Sequence, residues 1–166
     1  MGVNGFSAST GNDDTTRGLL KFVKFSETLT TIQSVAFRGD SLKQVIIPDN
    51  VTSLSQQRHF AYNQIKDIKL GKGLTYIGSS VFSNSDLAGE HDYPVRVNYL
   101  KEVFIPQNVI EIPTTVFATA TPDVIIRTER TKEDFLASVT TMANDGEYSW
   151  RGQVQVISSD GLYIYE

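Results

Sequence analysis

The residues with the chemistry to act on a substrate are few. Histidine occurs twice, at His59 and His91, and cysteine not at all. Without a thiol there is no disulfide, thiolate zinc site, iron–sulfur cluster or cysteine nucleophile to consider. Glu90-His91-Asp92 has the composition of a metal site, but adjacent residues do not converge on one ion and no second histidine has useful spacing. The triplet reads as a solvated loop, and His59 as a surface or edge residue. Gly71-Lys72-Gly73 lacks the spacing of a phosphate loop, and there is no G-x-S-x-G elbow, H-E-x-x-H or dinucleotide fingerprint. Asp13-Asp14 lies in a polar stretch where nothing would raise a pKa. No catalytic role, metal or cofactor is expected.

The lysines are another matter. Lys21, Lys43, Lys66 and Lys101 each follow the first residue of a segment that aligns with the others: LKFVKFSETLTTIQSVAF from Leu20, LKQVIIPDNVTSLSQQRHF from Leu42, IKDIKLGKGLTYIGSSVF from Ile65 and LKEVFIPQNVIEIPTTVF from Leu100. The starts lie 22, 23 and 35 residues apart, the last being one unit plus an insertion. Six apolar slots recur in register. They hold Leu20, Leu42, Ile65 and Leu100; Val23, Val45, Ile68 and Val103; Phe25, Ile47, Leu70 and Ile105; Leu29, Val51, Leu74 and Val109; Ile32, Leu54, Ile77 and Ile112; and Phe37, Phe60, Phe82 and Phe117. The chain is built of repeats.

The spacing dictates what each unit forms. The opening L-x-x-V-x-I is β-branched with period-2 character at its end, so it reads as a short strand. Pro48 and Pro106, with Gly71 at the equivalent place, end the strand and turn the chain. The second half is too short for a stable helix and returns through turns. One unit cannot bury its own apolar face, so the units stack into a solenoid with the phenylalanines in a column. The recurring turn also explains Asn50-Val51-Thr52 better than glycosylation does. The pattern L-x-x-V-x-I-P-x-x-V-x-x-I-x-x-x-x-F, over about three fifths of the chain, closely resembles the BspA-like class of bacterial leucine-rich repeats. That resemblance implies a β-rich leucine-rich repeat solenoid of short parallel strands with irregular return segments. It also implies a non-catalytic, commonly surface-exposed protein that binds other proteins or host surfaces.

The remaining segments frame the solenoid, which is expected over 19–122. Residues 1–18 are rich in Gly, Ser, Thr and Asn, contain no apolar stretch of signal-peptide length and read as a flexible or partner-held tail. Thirteen extra residues sit within 83–99, and extra residues in a repeat map to loops, often on a binding face. Residues 123–166 read as a small α+β cap. In it a truncated strand at Val124–Ile126 precedes a helix capped by Thr131 and Asp134, with Phe135, Val139 and Met142 on one face. Two closing strands follow, QVQVI and LYIY, around a turn at residues 158–161.

Stacking places the four lysines in one ladder, beside Phe22, Gln44, Asp67 and Glu102, then Lys24, Ile46, Lys69 and Phe104. Like charges stacked across strands are destabilising, so the ladder needs compensation, which Asp67 and Glu102 would supply, or a purpose. The same row of lysines also serves as a solvated edge against aggregation. With fifteen basic and nineteen acidic residues the net charge is −4, so nucleic acid is not an expected partner. No apolar run is long enough to span a membrane as a helix.

The expected function is non-catalytic binding of another protein or a surface ligand, of the adhesion type. The contact residues are Lys21, Lys43, Lys66, Lys101, Phe22, Ile46, Lys69 and Phe104, with Tyr93 and Tyr99 from the insertion. The alternative is a structural or decoration component of a phage virion or similar assembly, joined through residues 1–18. A further alternative uses Phe22, Phe104, Tyr93 and Tyr99 as stacking platforms for a glycan. An extracellular surface or a virion is the favoured location.

Overall fold

A computed structural model describes residues 20–55, 58–83, 98–117, 124–140 and 154–165. The expected tail at 1–18, the interior of the 83–99 insertion and the helix-face residue Met142 lie outside them. The second, third and fourth repeats and the truncated unit after them contribute their opening strands: β1 (Gln44–Ile46), β3 (Asp67–Lys69), β5 (Glu102–Ile105) and β7 (Ile125–Thr128). β1 and β3 pair in parallel with Val45 opposite Ile68, and β5 and β7 with Val103 opposite Ile126. Between β3 and β5 the stacking continues at the edge, where Tyr99 N–H donates to Ile65 O as Gln64 N–H does to Leu42 O. β9 (Val154–Ser158) extends the ladder in parallel, and β10 (Gly161–Tyr165) folds back antiparallel to close it. The first unit shows the turn but no strand; it joins the stack through Ser41 N–H to Leu20 O. The result is a β-solenoid of about three turns.

The return segments are more regular than their sequence suggests. They form a second parallel ladder from two-residue strands: β2 (Ser53–Leu54) with β4 (Tyr76–Ile77), and β6 (Ile112–Pro113) with β8 (Val139–Thr140). A bridge from Tyr76 to Glu111 links the two pairs. Each strand is too short to register as a pattern, and only stacking makes it one. The helix differs from expectation in the same way. α1 (Lys132–Ala137) starts at Thr131, whose Oγ1 accepts from Asp134 N–H at 3.2 Å, as the capping pattern implies. It ends at Ser138, because Val139 and Thr140 are drawn into β8: Ile112 N–H donates to Ser138 O and Thr114 N–H to Thr140 O. β-branched residues favour that extended geometry. Val139 is therefore a strand residue, not a helix-face one.

Between the two ladders lies one apolar core. Twenty of the twenty-four slot residues are buried; Leu20, Val23, Leu29 and Ile68 are half-buried, so three of the four fall in the first unit. The phenylalanines stack as expected, with ring centroids 5.4 Å apart for Phe37–Phe60, 5.6 Å for Phe60–Phe82 and 5.9 Å for Phe82–Phe117. Phe25 closes the near end edge-on against Phe37. The backbone repeats alongside: Phe37, Phe60 and Phe82 N–H donate to the carbonyls of His59, Val81 and Val116.

Those three acceptors precede the phenylalanines of the following units, and they reveal a seventh inward slot: Ala36, His59, Val81 and Val116, all buried. His59 is consequently a core residue, not an edge one, with Nε2 3.2 Å from Ile32 O. The slot was hidden because one of its four members is polar.

Candidate binding surface

Parallel strands that bury alternate residues send the others to solvent. On β1 and β3 the outward residues are Gln44, Ile46, Asp67 and Lys69; on β5 and β7 they are Glu102, Phe104 and Arg127. Register sets Ile46 beside Lys69 and Phe104 beside Arg127. The preceding positions, Lys21, Lys43, Lys66 and Lys101, are all exposed, and Lys66 N–H donates to Lys43 O at 2.9 Å. Lys43 and Lys66 thus stand on adjoining coils. Phe22, Ile46 and Phe104 have 67%, 50% and 43% of their surface in water.

Two site expectations change. Glu102 does not serve the lysines: its Oε1 lies 2.7 Å from Arg127 Nε, one strand along. Arg127 itself is a face residue that the sequence reading missed, since the DVIIRT segment was seen only as a truncated strand. Continuing the slot alignment through it would have placed Arg127 in the row of Ile46, Lys69 and Phe104. Tyr99 is exposed beside Lys101, whereas Tyr93 lies outside the described residues, as does Glu90-His91-Asp92. Among the described residues no group of three or more His, Asp or Glu side chains is placed to hold a metal ion. Nor is any helix among them long and apolar enough to cross a membrane.

Beneath the strands lies a polar device that the sequence pattern does not reveal. Asn63 and Asn98 stand two residues before the first slot and are wholly buried. Asn63 Oδ1 accepts from Leu42 N–H at 3.0 Å, and its Nδ2 donates to Phe37 O and Phe60 O at 2.6 and 3.1 Å. Asn98 repeats the pattern one unit on, with Ile65 N–H, Phe60 O and Phe82 O at 3.0, 3.1 and 3.0 Å. Each amide thus satisfies main-chain groups at the bend into the strand that no ladder reaches; leaving one of them unmet costs about 1–3 kcal/mol. The outer turns have an equivalent: Asn50 Nδ2 donates to Glu27 O and Asn108 Nδ2 to Lys72 O, which gives Asn50 the turn role its position implies.

No match was found among curated proteins or among solved structures. The family described as "BspA type Leucine rich repeat region (6 copies)" matches residues 16–102, which include the first three units, the insertion and the start of the fourth. With slots, strands and phenylalanine column all in the register this repeat demands, the chain belongs to the BspA-type leucine-rich repeat family.

Proposed function

We propose that this chain is a non-catalytic binding module that takes a protein or a surface ligand, in adhesion-type contacts, on the outer face of its parallel strands. One observation carries the reading: Ile46 and Phe104 stand in water at outward strand positions, in register with Lys69 and Arg127, and Phe22 is exposed in the first unit. Single exposed apolar residues are ordinary, but apolar residues that recur among charges on successive coils form a contact surface of mixed chemistry. Leucine-rich repeats generally mediate protein binding, which agrees with the family assignment. The rigid stack beneath supports the same use, because a preformed face loses little entropy on binding.

The test is charge reversal on the ladder. The combined Lys43→Glu, Lys66→Glu and Lys101→Glu variant should capture its partner from source-cell extract about tenfold less well at low salt, with an unchanged melting temperature. Undiminished capture would remove the strand face from consideration.

A further inference from the structure

The same face specifies the chemistry of its partner; this inference rests on the proposed binding role and narrows it. The geometry points to an acidic polypeptide segment that carries apolar side chains among its carboxylates. Charge comes first. Among the described residues, this side of the stack exposes Lys21, Lys24, Lys43, Lys66, Lys69, Lys101 and Arg127 against Asp67 and Glu102. Glu102 is held by Arg127, so little on the face neutralises the lysines. Yet the whole chain carries −4. A protein that is acidic in sum but cationic on one face has segregated its charge, and a cationic face attracts an anionic partner.

Arrangement then decides which anion. Register sets Ile46 beside Lys69 and Phe104 beside Arg127, and the repeat alignment puts Lys24 at the same position of the first unit, so along the stacked coils cation and apolar side chain alternate. At about 4.8 Å per strand the row spans roughly 19 Å, and residues of like kind recur about every 10 Å. A sulfated glycan or a nucleic acid would answer the cations but leave Ile46 and Phe104 uncovered. A bilayer rewards a contiguous apolar patch, and here each apolar side chain is flanked by charge at the same height. A polypeptide alone among these carries carboxylates and apolar groups along one line, so it covers both members of the alternation.

The full chain would be titrated with labelled peptides of about 12 residues, ample for the roughly 19 Å row. One repeats Glu-Glu-Leu and the other is polyglutamate; a heparin oligosaccharide and phosphatidylserine vesicles are run alongside. The Glu-Glu-Leu peptide should bind about tenfold more tightly than polyglutamate. Ile46→Ser with Phe104→Ser should erase that difference, and Lys69→Glu with Arg127→Glu should weaken both peptides. All four positions are exposed, and the Arg127–Glu102 pair lost with them is a solvent-screened surface contact, so melting temperatures should hold within a few degrees. Equal affinity for the two peptides, no binding of either, or tighter binding of heparin or vesicles overturns the proposal. If the lysine-ladder variant loses its cellular partner while the Glu-Glu-Leu peptide neither binds nor competes, the binding module stands and the acidic partner falls.

Discussion

At Gly71 a β-carbon would overlap the carbonyl group of Pro48 and press on that of Ile47. The turn position that Pro48 and Pro106 fill in their own units is here too close to the neighbouring coil for any side chain. The sequence offers a different reason for this glycine, the turn geometry it tolerates; packing between adjacent coils supplies the binding constraint. Gly71→Ala should therefore destabilise by about 1–3 kcal/mol, the cost of overpacking, measured by urea denaturation. Gly39 makes the contrast: its φ of +80° is the constraint and nothing lies within 4 Å of its missing side chain. An alanine there should cost about 1 kcal/mol, through backbone strain alone.

Among the described elements, the β9–β10 hairpin is tied to its neighbour through a carboxylate. Asp160, at its turn, accepts from Ser158 Oγ at 2.6 Å and from Lys132 N–H at 2.9 Å, tying the hairpin to the first turn of α1. Ser159 N–H adds a bond to Arg130 O. The Ser158 hydroxyl, and after it the Lys132 amide, hold the Asp160 carboxyl below its ordinary range. A carboxylate whose folded pKa is depressed contributes stability above its unfolded value of 3.8 and loses it as the pH falls through the folded one. Amide exchange in β9 and β10 should accordingly quicken below about pH 4, ahead of the central strands. Asp160→Asn should remove that pH dependence, and identical exchange profiles in variant and wild type would contradict the assignment. On the same hairpin, burial, and then the Asp160 charge, push Tyr163 up to about 12.

For the molecule as a whole, the stack makes stability a matter of neighbours. Phe60 has a ring on either side of it in the column, whereas Phe25 closes one end edge-on. Phe60→Ala should cost about 3–5 kcal/mol and Phe25→Ala measurably less, as equilibrium denaturation would show. Equal costs would mean that the column does not act as a stack. The same logic explains what was legible beforehand. Slots that are apolar in every copy, such as that of Phe37, Phe60, Phe82 and Phe117, announce themselves by repetition. Functions filled by polar residues do not. Asn63 and Asn98 look like turn residues, and the insertion between Phe82 and Asn98 hid their common register. His59 broke the pattern of an inward slot otherwise held by alanine and valine. β8 cost the expected helix its last turn because two-residue strands exist only through the partner that pairs with them. The proposed binding face is legible where lysines recur, and not at Arg127, which belongs to a unit too truncated to align.

The insertion itself has a design consequence. Its ends are joined by a side chain: Asn98 Nδ2 donates to Phe82 O, and Tyr99 N–H then resumes the ladder on Ile65. The coil is thus closed between Phe82 and Tyr99 by these bonds, and the entropy of closing a loop rises only slowly with its length. The solenoid carries a socket at this point, where segments of different length and composition can be exchanged like cartridges while the coils on either side keep their phase.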